Sequence, residues 1–195
     1  MKEAGYTAIA ALIHFDCTAA GAAVLAELRP RPDQIERIDI ATYRFASVMR
    51  NPDPPNYFAS KYSLSHAAAV MVIRGNAGFA ELDDSALNDP AIAALRHRVH
   101  VTEDPAMSAI APRLRPARVT VSLTDGRQAT RSGDSQRGDF QQPFTEAEIR
   151  AKFRELAGVV LTPEGVSRVE AAVERCEDWQ SVDELTGLLD RHGRP

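Results

Sequence analysis

The feature that most constrains this chain is an unbroken apolar run, Ala67 to Ile73. It lies between Lys61-Tyr62-Ser63-Leu64-Ser65-His66 and Arg74-Gly75. Alanine, methionine and leucine favour helix, and a basic last turn followed by glycine is a C-terminal stop. A helix apolar on all sides is buried on most sides, so this one is expected to be central to its domain. At its entrance Lys61, Ser63 and His66 bring a cation, a hydroxyl and an imidazole into about two turns. Such a group is what one wall of an active site needs. The plainer alternative leaves Lys61 in solvent, Ser63 as a helix cap and His66 as a hydrogen-bonded histidine at the rim.

Composition removes several classes of function. The net charge is -4 with 26% charged residues and no basic block, so nucleic acid is not an expected partner. Cys17 and Cys176 are far apart and show neither Cys-x-x-Cys nor Cys/His ligand spacing. They read as reduced thiols rather than a disulfide or a metal site. No cofactor is expected either. Arg137-Gly138-Asp139 lies in a polar loop, Ser132 to Gln142, without the glycines and closely following helix of a phosphate site. The apolar stretch Tyr6 to Ile13 follows Lys2 but is short, is preceded by Glu3, and runs into His14-Phe15-Asp16, a poor cleavage context. Nothing approaches a membrane span. The expectation is a cytoplasmic protein without membrane contact. At 195 residues and 44% hydrophobic, it has enough chain for one core, or for one domain and a helical appendage.

Periodicity sets out the rest. Residues 18–29 read as a helix with Thr18 as a possible cap, ended by Pro30-Arg31-Pro32-Asp33. In Gln34 to Tyr43, Ile38, Ile40 and Thr42 face one way and Arg37, Asp39 and Ala41 the other, the pattern of a half-buried strand. Asn51 to Asn56 is a proline-rich loop leading into the central helix. Asp83 to Asn88 reads as an acidic turn or short helix. Pro90 opens a helix with Ile92, Leu95 and Val99 on one face, and His100 to Glu103 continues as a short strand. Arg118 to Arg131 is a hairpin turned by Asp125-Gly126.

From about residue 144 the chain is helical. Thr145 and Glu148 predict a capping box before Ile149, Phe153, Leu156 and Val160. Thr162-Pro163 starts a helix striped by Val166, Val169, Val173 and Cys176. Ser181 and Glu184 predict a second box, opening a third, short helix with Leu185, Leu188 and Leu189. The expected fold is α+β: a small antiparallel-rich sheet covered by helices over 1–143, then helices over 144–195 expected to pack on a helical domain.

The order of these signals resembles the C-terminal half of the MmgE/PrpD family, which includes 2-methylcitrate dehydratase, cis-aconitate decarboxylase and iminodisuccinate epimerase. The matching pieces are Lys61 to Ala67, Arg118 to Gly126, Gly138 to Pro143 with Phe144-Thr145, and Lys152-Phe153-Arg154, within a resemblance running from about residue 17 to 190. It implies an α/β lid domain and returning helices, facing a helical domain across an active-site cleft. It further implies a lyase, a dehydratase, decarboxylase or epimerase, acting on a small polycarboxylic acid by metal-free proton abstraction and elimination.

Carried over by position, His66 falls where many members have an active-site tyrosine, with Lys61 and Ser63 beside it to hold a carboxylate. The family's Lys-x-x-Pro-x-[Cys/His] segment falls on Leu12 to Cys17, where no lysine or proline matches and His14 is the candidate substitute. The resemblance also implies a partner, either a helical N-terminal chain or a second copy in a homodimer. Two readings therefore stand: a subunit of a carbon–oxygen lyase or related isomerase, 2-methylcitrate dehydratase-like, or a non-catalytic lid-like interaction module.

Overall fold

The structure is a computed structural model that describes residues 20–78, 81–135 and 138–194. These fall into two compact units, one through Gln142 and one from Pro143 onward.

The first unit is built on a four-stranded sheet in the order β2-β1-β3-β4. Its elements are helix α1 (residues 20–28), β1 (Ile35–Thr42), α2 (Arg44–Ser47), α3 (Tyr57–Ser60), α4 (Leu64–Arg74), α5 (Asp84–Asn88), α6 (Pro90–Arg96), β2 (Val99–Glu103), α7 (Pro105–Ile110), β3 (Ala117–Leu123) and β4 (Gln128–Gly133). β1 runs parallel to β2 and antiparallel to β3, and β3 is antiparallel to β4, so the chain is α+β. The alternation read in β1 is the cause of this arrangement. Ile38 stands between Val99 and Val121, with Ala129 next across, and all four are buried. Ile40 stands between Val101 and Val119 in the same way. One face of the sheet is thus continuously apolar and has to be covered. α4 meets it with Leu64, Ala68 and Met71, and α1 closes the side with Leu25.

The central helix starts and stops where its residues require. Ser63 is the N-cap, its oxygen accepting from the His66 amide, and Gly75 closes the other end at φ 78°, the left-handed region that glycine occupies without strain. Other boundaries differ from the periodic reading. α6 ends at Arg96, and Val99 belongs to β2 because pairing with Ile38 outweighs its helical spacing from Leu95. Ser132 and Gly133 are the end of β4, not part of the loop. Asp83 to Asn88 resolves as α5 with Asp83 as its cap.

The second unit contains α8 (Glu146–Val160), α9 (Pro163–Val173) and α10 (Asp183–His192). Thr145 and Glu148 form the expected capping box, and Thr162 caps α9 through the Gly165 amide. The box expected from Ser181 and Glu184 does not form. Val182 is the N-cap of α10, Ser181 accepts from the Asp183 amide, and Glu184 reaches back to the Gln180 amide, so the two side chains serve different turns. Cys176 leaves the α9 stripe for a 3-10 turn and is exposed. Leu161, Val166 and Val169 form the core of this unit, with Phe153, Ala157, Leu185 and Leu188 around them. Arg150 and Arg154 of α8 clasp Glu170 of α9. Even so, α8 has no buried residue, and Ile149, Leu156, Val159 and Val160 are exposed. No described helix is long and apolar enough to cross a membrane.

α9 and α10 come close together at Gly165, where a Cβ would overlap the His192 side chain. Gly165→Ala is therefore expected to destabilise the second unit by about 1–3 kcal/mol. The single tryptophan, Trp179, donates to the Ala172 carbonyl at 3.0 Å, so its fluorescence in a urea titration reads the loss.

Candidate functional site

The loop before α4 and the first turn of the helix are tied together residue by residue. The Leu64 amide donates to the Met49 carbonyl at 2.8 Å, Ser65 Oγ to the Arg50 carbonyl at 3.3 Å, and Ser63 Oγ to the Asn51 carbonyl at 2.5 Å. Ser63 also accepts the His66 amide at 3.0 Å. Its one hydroxyl hydrogen goes to Asn51, so in this arrangement Ser63 has no hydrogen to offer a carboxylate. Capping is the role its geometry gives it.

His66 and Lys61 do not match the plainer alternative. His66 is fully buried, and neither ring nitrogen has a hydrogen-bond partner. It is neither at the rim nor satisfied. It lies about 200° around the helix from both Leu64 and Ala68, away from the sheet, where α4 packs on α6. Lys61 is 5% exposed. Its Nζ donates to the Leu82 carbonyl and lies 4.1 Å from the centroid of the Tyr57 ring. Two arginines complete the group. Arg96 of α6 is 5% exposed and donates to the Leu87 carbonyl at 3.0 Å, while its Nε has no partner. Arg74 donates to the Glu81 carbonyl at 2.8 Å, Asp83 at 2.9 Å and Ser85 at 2.7 Å. Three cations from α6, α4 and the turn before it thus hold residues 81–87 against the site.

The electrostatics follow from this crowding. Burial first, then the positive charges of Arg96, Lys61 and Arg74, lower the His66 pKa to about 4, so the imidazole is neutral at pH 7. Burial lowers Lys61 to about 8, against the opposing pull of Asp83 and Asp84. Burial also lowers Arg96, opposed by Asp53. Asp83 falls to about 2, chiefly through its hydrogen bonds from Ser85 and the Ala86 amide. Among the described residues no group of His, Cys, Asp and Glu is arranged to hold a metal ion.

The structure therefore places Lys61, Ser63 and His66 between the C-cap of α3 and the first turn of α4, close together as their spacing predicts, and adds Arg74 and Arg96. His14 and Cys17 lie outside the described residues. Arg96 was missed although its position carried a signal. It falls four residues after Ile92, on the buried stripe of α6, where an arginine is out of place unless it has work to do.

An α+β unit with a buried, cation-flanked imidazole on its central helix is the class of protein these observations define. Residues 10–178 match the family model described as the MmgE/PrpD C-terminal domain, and the chain belongs to the MmgE/PrpD family. It is similar to the cis-aconitate decarboxylase of Mus musculus, 26% identical over 157 residues, covering 80% of this chain and 32% of that protein. It is also similar to the Homo sapiens cis-aconitate decarboxylase, 25% identical over 157 residues with the same coverage. The chain spans about a third of the length of these curated relatives.

The lowered His66 pKa has a measurable consequence. Above the ordinary value of 6.5 the ring is neutral in both folded and unfolded chains, and the stabilisation is fully present. As pH falls from 6.5 towards about 4 the unfolded chain takes up the proton first, and on the order of 3 kcal/mol is lost. Urea unfolding across this range is expected to show a steeper loss of stability for wild type than for His66→Leu.

Proposed function

We propose that this chain forms one side of the active site of a lyase-type MmgE/PrpD enzyme acting on a small polycarboxylic acid. The observation that carries the reading is the buried, neutral imidazole of His66 beside Lys61. A neutral ring can accept the proton alpha to a carboxylate, and an adjoining cation can hold that carboxylate and steady the negative charge as it develops. The electron pair of the broken C–H bond then forms the double bond as a beta substituent leaves. Where that substituent is hydroxide, it departs with a proton as water. In a decarboxylating member the C–C bond to carbon dioxide breaks without prior loss of a C–H proton, and the electron pair left on the substrate is taken up by a proton from an acid. Ser63 serves by fixing the turn that carries His66, and Lys61 exchanges the Leu82 carbonyl for a substrate carboxylate. His14 is the candidate for the position of the family lysine. Likeness to cis-aconitate decarboxylase supports a polycarboxylate substrate.

The opposite wall of the cleft, in this reading, is a helical segment supplied by an N-terminal partner chain, with homodimerisation as a further level of assembly. The exposed Ile149, Leu156, Val159 and Val160 of α8 support it, since a 15-residue helix with no buried residue has an apolar side left to cover. A second reading, a non-catalytic lid-like interaction module, draws on the complete burial of His66.

Two measurements separate them. Co-expressed with a helical MmgE/PrpD partner, the chain is expected to dehydrate, isomerise or decarboxylate citrate-like acids. His66→Ala should slow the reaction by about 10²–10⁴-fold, and His66→Tyr should slow it far less. Equal rates for wild type and His66→Ala would remove the catalytic assignment. The chain alone is expected to bind an apolar dye and self-associate, and to lose both properties with the partner. A monodisperse monomer without dye binding would remove the docking role of α8.

A further inference from the structure

Among the described residues three buried polar atoms have no hydrogen-bond partner, and all belong to two side chains: both ring nitrogens of His66 and Nε of Arg96. The elements that carry them, α4 and α6, pack directly on each other, and the Arg96 charge is the largest electrostatic influence on His66. Leaving a buried polar group unpaired costs on the order of 1–3 kcal/mol, and folded proteins rarely leave several together. Orphaned polar atoms on side chains of two helices packed on each other mark the seat of a polar guest.

The charges decide which guest. The groups that act on His66 are the cations Arg96, Lys61 and Arg74. The nearby carboxylates are engaged elsewhere: Asp83 on Arg74, and Asp53 on His97 at 3.0 Å. Asp53 also acts on Arg96, and Asp83 and Asp84 act on Lys61. The charges that act on the His66 ring are all positive, and they favour an anion as its guest. The planar guanidinium edge, with an unclaimed Nε–H, fits the two oxygens of a carboxylate, and the neutral imidazole can add a third donor.

We infer that the buried Arg96–His66 pair seats one carboxylate of a polycarboxylic acid, with Arg96 as a binding residue in addition to Lys61. The inference rests on the polycarboxylate reading above and names a residue which that reading does not use.

The test is binding rather than turnover. Tricarballylate, a tricarboxylate with no hydroxyl to eliminate, is titrated into the full chain, and the Cε1–H resonance of His66 is followed by NMR across pH. A carboxylate against the ring favours imidazolium, so saturation is expected to raise the His66 midpoint by about one pH unit or more, with acetate much weaker. Arg96→Gln should weaken tricarballylate binding by about tenfold or more. Arg96→Lys keeps the charge without the fork, should also lose most of the affinity, and decides the matter if Arg96→Gln does not fold. An unshifted resonance, as a buried water alone would give, overturns the site. Wild-type affinity in a folded Arg96 variant does the same. Binding through Arg96 without lyase activity in the partnered complex would remove the functional reading and leave the site. Turnover with an unchanged KM in Arg96→Gln would remove the site and leave the function.

Discussion

The arrangement depends on how the first turn of α4 is closed. A buried helix has to find partners for its first amide groups, and here they are found within the chain. Ser63 caps the turn, and the carbonyls of Met49, Arg50 and Asn51 take the Leu64 amide and the Ser65 and Ser63 hydroxyls in succession. This sealed end leaves little for an anion, so the positive end of the helix dipole is not where chemistry is best sought. The candidate site lies around the side of the helix, on the His66 side, where charge comes from whole side chains.

Those side chains are held in a costly state. Lys61, Arg74 and Arg96 spend their donors on the backbone and side chains of residues 81–87, so the same contacts that order this segment keep three cations around a neutral histidine. Burial disfavours the charged form of every one of them, and for His66 the neighbouring cations add to it, as the lowered pKa values of Lys61, His66 and Arg96 record. Stability alone would favour apolar residues at these positions. An arrangement that costs stability and would be relieved by a negative ligand is the electrostatic form of a binding site.

The sequence made the sheet legible because its signals were local and redundant. The alternation of Ile38, Ile40 and Thr42 and the turn at Asp125-Gly126 both describe one face and one hairpin, and tertiary pairing agrees with them. The parallel pairing of β1 with β2 was not legible, because nothing local in Val99 to Glu103 names its neighbour. At the candidate site, the closeness of Lys61, Ser63 and His66 came from their short spacing in the sequence. Burial of Lys61 and the arrival of Arg96 depend on how α5 and α6 fold back, which no window on α4 contains. Ser181 and Glu184 failed for a related reason: a box is two hydrogen bonds on one turn, and the backbone placed the turn one residue later.

The path from β1 to β2 gives the site a genetic simplicity. Every side chain that defines it, from Lys61 to Arg96, lies in the single connection between two adjacent parallel strands, and the hairpin β3–β4 contributes none. Residues 43–98 thus carry the described part of the candidate site as one contiguous stretch mounted on a four-stranded frame. Exchange of this stretch between relatives would carry His66 together with Arg96, and a tyrosine-bearing stretch would bring its own surroundings. This side of the candidate site can therefore be inherited as one block.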